Sequence, residues 1–312
     1  MTMEIKAEDI TLTGIISIDD ERSVFVCEMK GHTTPLAVRV KSEAPSSTGT
    51  FDISQRVGNL GSNFIKTYGV SSCIGTSYLF CLKVDDGGEK EKISSQWGGT
   101  ILPPLCYSGN IIEEDPTEGT IIYEPKRLYL TVMEYIPPSP CLSYLTGAQS
   151  ESVLAQISCA LQEAHEHHEF EHNDLHEWNI LLREVDFKER EYKLKSGIRK
   201  TSVDTYEPVI IDFDYSRCMK TTPILIGSSL SDLRTESYLP RPVMTAPYVP
   251  YQDIGTLLLH LTLSPKLSSF LTIHGLKGDP KTGRPISCII SFEPVALADY
   301  LLDSVKYLHD LK

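Results

Sequence analysis

The stretch AHEHHEFEHNDLHEWNILL, residues 164–182, decides how the rest of the chain is read. It holds five histidines and five carboxylates in nineteen positions, then closes on Ile180, Leu181 and Leu182. A metal site, a phosphotransfer loop and the crowded end of a helix all compete for it. His168, His172 and His176 step by four, so an unbroken helix would stack them on one face like zinc ligands. The run from Asn173 to Asn179 has no helical apolar pattern, which ends the helix before His172 and dissolves that face. His165, His167 and His168 are then surface or core histidines in preference to ligands.

Working outward, Leu154, Ile157, Leu161, Ala164 and His168 recur at steps of three and four, which predicts a helix capped by Ser150 and running into the stretch. Ahead of it, ITLTGIIS, SVFVCEM and LAVRVK alternate like strands separated by polar turns, an antiparallel meander. FDISQRVGNLGSNF reads as a short helix, and FIKTYGV, SYLFCLKV and LYLTVMEYI as extended runs. Residues 85–127 are rich in Gly, Pro and acids and read as insertion or loop. Behind the stretch, REVDFKEREYKLKSG predicts a surface hairpin, EPVIIDFDYS a buried strand, and DIGTLLLHLTL and PVALADYLLDSVKYLHDL two helices. Strands first and helices later, with a Pro-rich hinge near residue 137, give an α+β chain with two lobes, 1–133 and 134–312.

With 312 residues, 41% apolar and 23% charged, the composition is that of a globular protein, and no apolar run reaches bilayer length. The start MTMEIKAEDI lacks an apolar segment after its charges, so an intracellular protein without a signal peptide is expected. The eight cysteines are scattered and predict reduced thiols with no disulfide framework. Forty-two acids against 29 bases leave a net charge of −13, which disfavours nucleic acid and suits a basic ligand, though solubility alone accounts for it.

His172, Asp174 and Asn179 spell His-x-Asp-x-x-x-x-Asn ahead of an apolar run, and Asp212 ends the Ile-Ile strand of IIDFD. Phosphoryl transfer needs such a set. An Asp orients the attacking hydroxyl and accepts its proton, while an Asn and a second Asp hold magnesium against phosphates. Asp253, opening DIGTLLLHL, fits a buried acid that anchors the loop through backbone N–H groups, or a plain helix-start acid.

FEHNDLHEWNILL followed by a hairpin and VIIDFDYSR resembles haspin, an atypical eukaryotic protein kinase acting on a threonine near the start of a histone tail. VFVCEMKGHTTPLAVRV and YQDIGTLL extend the resemblance over most of the chain, with residues 70–127 weakest. It implies a bilobal kinase-like fold, ATP and Mg2+, a protein substrate with a basic histone-like tail, a monomer, and residence in the nucleus or on chromosomes. By resemblance Asp174 is the catalytic base with His176 beside it, Asn179 and Asp212 bind the metal, and Glu134 belongs to the nucleotide site. The family's extra hairpin and its missing Ala-Pro-Glu motif fit too, residues 215–247 offering only TAP.

Other positions depart from the pattern. Ser17, Asp19 and Arg22 stand where three glycines would let backbone N–H groups approach phosphate, and Arg39 stands for the nucleotide-binding Lys. Lys41, two residues on, and Arg22 are possible substitutes, and Lys83 with Glu91 a more remote one. The helix Glu falls near Thr50, with Asp52 the nearest acid. Asn173 replaces the Arg that reads a phosphorylated activation loop, Asp214 replaces the Gly after Asp-Phe, and Trp178 is expected to pack against the lower lobe. A pseudokinase scaffold is therefore the alternative function, and a small-molecule kinase a more distant one.

Overall fold

Alternation of apolar and polar side chains lays down the front of the chain as strands: β1 (Ile10–Ile18), β2 (Arg22–Met29) and β3 (Leu36–Lys41) form the expected antiparallel meander. In this computed structural model, residues 5–18, 22–42, 49–80, 102, 104–115, 119–203, 205–222, 224–227, 252–261, 264–274 and 294–309 are described. Next come α1 (Gly49–Gly58), β4 (Thr67–Thr76), the hairpin β5 (Ile111–Asp115) and β6 (Gly119–Tyr123), and β7 (Pro125–Glu134). One five-stranded sheet has the order β1-β2-β3-β7-β4. Phe25, Val38, Val40, Leu128, Leu130 and Val132 form the centre of its core.

After this sheet the chain turns largely helical. The central helix α2 (Gly147–His168) is buried on every side from Val153 to Ala164. Beyond it lie β8 (Phe170–Glu171), β9 (Ile180–Glu184), the hairpin β10 (Lys188–Leu194) and β11 (Gly197–Val203), β12 (Tyr206–Ile210) on β9, and β13 (Arg217–Cys218) between β14 (Leu225–Ile226) and β8. Three helices follow: α3 (Gln252–His260), α4 (Pro265–Ile273) and α5 (Pro294–His309). The chain is α+β, with an antiparallel sheet first and helices later. It divides into two compact units, Met1–Pro45 with Thr67–Tyr135, and Ser46–Lys66 with Ile136–Lys312, so α1 belongs to the second. No helix among the described residues is long and apolar enough to cross a membrane.

Several sequence expectations are corrected. Thr146, not Ser150, caps α2: its backbone N–H and hydroxyl both donate to Gln149 Oε1, at 3.2 and 2.9 Å, so the helix starts a turn earlier. Within 85–127 the chain builds β5 and β6 and begins β7, so this region is not all loop. Ser77–Phe80 is a 3-10 turn where an extended run was expected. Cys73 on β4 and Cys106 ahead of β5 form a disulfide, their Cα atoms 5.7 Å apart, because the two stretches run side by side. Helix α4 was not anticipated; Ser264, whose hydroxyl accepts from Leu267 N–H, caps it, with Pro265 at its first position. Lys83, Glu91, Asp19 and the TAP segment lie outside the described residues.

Candidate active site

Helix α2 stops where Glu169 takes a left-handed φ of 47°, and β8 carries the chain into His172. The histidines at 168, 172 and 176 therefore share no helix face, as the sequence predicts. The loop is held from below by Asp253 in the first turn of α3. Its two carboxylate oxygens accept the backbone N–H groups of His172 at 2.7 Å and Asn173 at 2.8 Å. Asp253 is thus a loop clasp and not a simple helix-start acid. Burial pushes its carboxyl above the ordinary range, while the His172 ring, the two N–H donors and Arg217 pull it back.

A second tie joins this loop to the end of β12. The imidazole of His172, fully buried, donates from Nε2 to Ile211 O at 2.8 Å, and Ile211 N–H donates to Asn179 O at 3.0 Å. Asp212 follows at once, at φ 62°. Beneath it the rings of Phe64, Phe170, His172 and Phe213 meet edge to face or tilted, at centroid distances of 5.7–6.4 Å. The motif His172-x-Asp174-x-x-x-x-Asn179 and Asp212 are thereby brought together, and Asp174, His176, Asn179 and Asp212 all lie in the second unit.

Within the loop, Asn179 spends both amide hydrogens, one on Asp174 O at 2.9 Å and one on His176 Nε2 at 3.2 Å. That use fixes Nδ2 as donor and leaves Oδ1 as the acceptor. His176 Nε2 also lies 3.7 Å from Asp174 Oδ2. A nitrogen accepting from the amide carries no proton to share with the carboxylate, and the shorter contact is the better hydrogen bond. The Asp174 carboxylate, 29% exposed, accepts no hydrogen bond among the described residues and is accessible to a hydroxyl.

The segment after Asp212 is tied back to the loop. Asn173, at φ 65°, donates its amide to Tyr215 O at 3.0 Å, and Ser216 Oγ donates to His172 O at 3.2 Å. Gly227 N–H donates to Ser216 O at 2.7 Å, and a Cβ at Gly227 would sit 2.4 Å from the carbonyl oxygens of Phe213 and Asp214. Arg217 and Glu171 form a buried ion pair. From α1, Thr50 Oγ1 donates to Asp214 Oδ1 at 3.3 Å.

The expected nucleotide-binding residues lie in the first unit. Arg22 is the cross-strand partner of Lys41, and Val24 that of Arg39, so Arg22, Arg39 and Lys41 share one face of the β2–β3 pair. Val38 and Val40 take the other face, into the core. Glu134 pairs with Leu36, five residues from Lys41 along β3 or about 17 Å. The structure groups the three basic residues and leaves Glu134 at the far end of the strand. Sequence reasoning missed the environment of Trp178: it is 71% exposed, not packed against the protein.

No group of three or more His, Cys, Asp or Glu side chains suited to a metal ion occurs among the described residues. Magnesium asks for less, one or two hard oxygen ligands with water and phosphate completing the shell. The fixed amide oxygen of Asn179 and the carboxylate of Asp212, joined through Ile211, fit that need.

No family model matches the chain, and no curated protein does. Among solved structures the chain is similar to the autoinhibited serine kinase domain of the giant muscle protein titin, with 13% identity and a TM-score of 0.35. That similarity covers 68% of this chain and 46% of the other, so the chain spans about half the length of that structure. At this TM-score the likeness carries no functional weight.

Proposed function

We propose that this protein is a haspin-like serine/threonine protein kinase that transfers phosphate from ATP to a hydroxyl on a protein with a basic, histone-like tail. The single observation that carries the reading is the tie through Ile211, which sets Asp212 beside the loop bearing Asp174 and Asn179. Bound ATP and Mg2+ would supply the phosphoryl group and the positive charge that balances it, with Asn179 and Asp212 as the ligands of the ion. Asp174 orients the substrate hydroxyl and takes its proton, a role its accessible carboxylate supports. His176 and Asn179 brace the backbone carbonyl and flank of Asp174. Asp253 keeps the loop at fixed height by holding the His172 and Asn173 amides. The cluster Arg22, Arg39 and Lys41 is the candidate phosphate-binding group, with Glu134 as the expected nucleotide-site acid.

Incorporation of labelled phosphate into a Ser/Thr peptide rich in Arg and Lys tests this. Wild type should label the peptide, and Asp174→Ala should lose at least about a hundredfold in rate, the scale of a general base. Equal labelling by both would end the proposal.

A second reading, a pseudokinase scaffold, draws on α1. That helix offers Thr50 and Asp52 in place of a Glu, and Thr50 is engaged by Asp214. Thermal unfolding with ATP, with and without Mg2+, separates the two, since a ligand that binds the folded state raises the midpoint. No shift under either condition favours the scaffold.

A further inference from the structure

Two aromatic side chains of the second unit stand in solvent, one in the loop of Asp174 and one on a turn tied to that loop through Cys141. Trp178, the residue before Asn179, is 71% exposed, and Tyr144 is 81% exposed. They ride on touching 3-10 turns, Leu142–Tyr144 and Glu177–Asn179. The contact is made by Cys141, whose thiol donates to Glu177 Oε2 at 3.3 Å and whose carbonyl accepts Tyr144 N–H at 2.9 Å. The indole thus has the Glu177 carboxylate next to it in the chain, held by a neighbour, and the partly exposed Asp174 carboxylate four residues back.

An exposed indole invites either an apolar side chain or a cation. The surroundings decide between them. An apolar guest would desolvate these carboxylates and offer them no hydrogen bond in return, with only the Cys141 thiol on Glu177 to offset the cost. A guanidinium or ammonium meets the ring face and the carboxylates favourably at once. The excess of acids over bases in the chain, 42 against 29, adds long-range attraction of the same sign.

We propose that Trp178, with the Glu177 carboxylate next to it in the chain, forms a receptor for a cationic side chain, Arg or Lys, of the polypeptide presented to Asp174. The proposal rests on the phosphotransfer reading for what happens to that polypeptide, and names the residues that select it.

The chain has two tryptophans, Trp97 and Trp178, so Trp97→Phe leaves Trp178 as the sole indole reporter. A short Ser peptide with Arg flanking the hydroxyl is titrated against this variant, alongside the same peptide with norleucine or Gln in place of Arg. Calorimetry on the wild-type chain repeats the comparison without any substitution. The Arg peptide should perturb the Trp178 emission and bind about tenfold tighter than either neutral peptide, with salt eroding the difference. Trp178→Ala should abolish the preference, Trp178→Phe should retain part of it, and in turnover Trp178→Ala should raise KM for the Arg peptide with kcat unchanged. Norleucine binding as tightly as Arg, or an undiminished preference in Trp178→Ala, overturns the proposal. Selective Arg binding with no phosphate transfer by wild type upholds the receptor while refuting the kinase reading. Transfer with KM indifferent to Trp178→Ala does the reverse.

Discussion

Removing the Asp253 carboxylate tests the clasp under the Asp174 loop. In Asp253→Ala two buried backbone donors, His172 N–H and Asn173 N–H, lose acceptors at 2.7 and 2.8 Å. Hydrogen bonds to a charged group are each worth about 1.5–3 kcal/mol, so their joint loss is about 3–6 kcal/mol. Against this stands the cost of burying the carboxylate, visible in the upward push on its pKa, which the substitution removes. The net expectation is a destabilisation of about 2–4 kcal/mol. Asp253→Asn keeps one acceptor oxygen but turns an NH2 toward the second N–H, so about half of that loss is expected. At roughly 2–4 °C per kcal/mol for a chain of this size, Asp253→Ala should lower Tm by roughly 5–15 °C.

The assay is denaturant unfolding together with amide hydrogen exchange read at His172 and Asn173. Both amides should lose protection in Asp253→Ala, and the phosphate transfer of the proposed function should fall further than the lost fraction folded explains, because Asp174 is one residue from the released amide. Unchanged protection at both amides with stability altered by less than about 0.5 kcal/mol would refute the clasp.

Three further outcomes are expected. Glu207 is fully buried; burial pushes its carboxyl up, but Ser62 at 2.5 Å, Lys188 at 3.1 Å and Arg183 at 2.8 Å outweigh that and hold it below its ordinary 4.5. A depressed folded pKa stabilises above the unfolded value and ceases to as pH falls through the folded one, so the gap between wild type and Glu207→Gln in urea unfolding should be full at neutral pH and shrink below about 4.5. Gly227→Ala drives a Cβ to 2.4 Å from two backbone carbonyls, which no side-chain rotation relieves; destabilisation of about 1–3 kcal/mol and faster exchange over residues 213–216 should follow. Reducing the Cys73–Cys106 disulfide, which spans 33 residues, should cost about 3–4 kcal/mol in the unfolding of the first unit, and a Cys73→Ser, Cys106→Ser double variant should show no response to reductant.

What the sequence made legible was whatever repeats or recurs locally. Alternation announced β1 to β3, a step of three and four announced α2, and the charged KEREYKL run announced the hairpin β10–β11. The loop residues Asp174 and Asn179 and the distant Asp212 were readable because their spacing is a chemical pattern, and the structure supplies the Ile211 tie that spacing cannot show. Pairings between remote segments were illegible. Nothing near Cys73 announces Cys106, since the neighbourhood exists only once β4 lies beside the approach to β5. Thr146 was passed over as a cap because its partner Gln149 lies before the apolar period begins. The exposure of Trp178 was misjudged because apolar area favours burial, and composition does not show that the Glu177–Asn179 turn presents the indole to solvent.

The backbone supplies a last argument about where a side chain is needed for itself. Asn173 and Asp212 both sit in the left-handed region, at φ 65° and 62°, which Asn and Asp enter more readily than other residues with a side chain, and Gly more readily still. At Asn173 the side chain repays its place by bonding Tyr215 O, so a structural role suffices there. At Asp212 the backbone is set by the ties at Ile211 on one side and by the buried Phe213 ring on the other, and Gly would accept the same angle without strain. The proposed function gives the carboxylate there a use that Gly could not fill, an oxygen ligand beside Asn179.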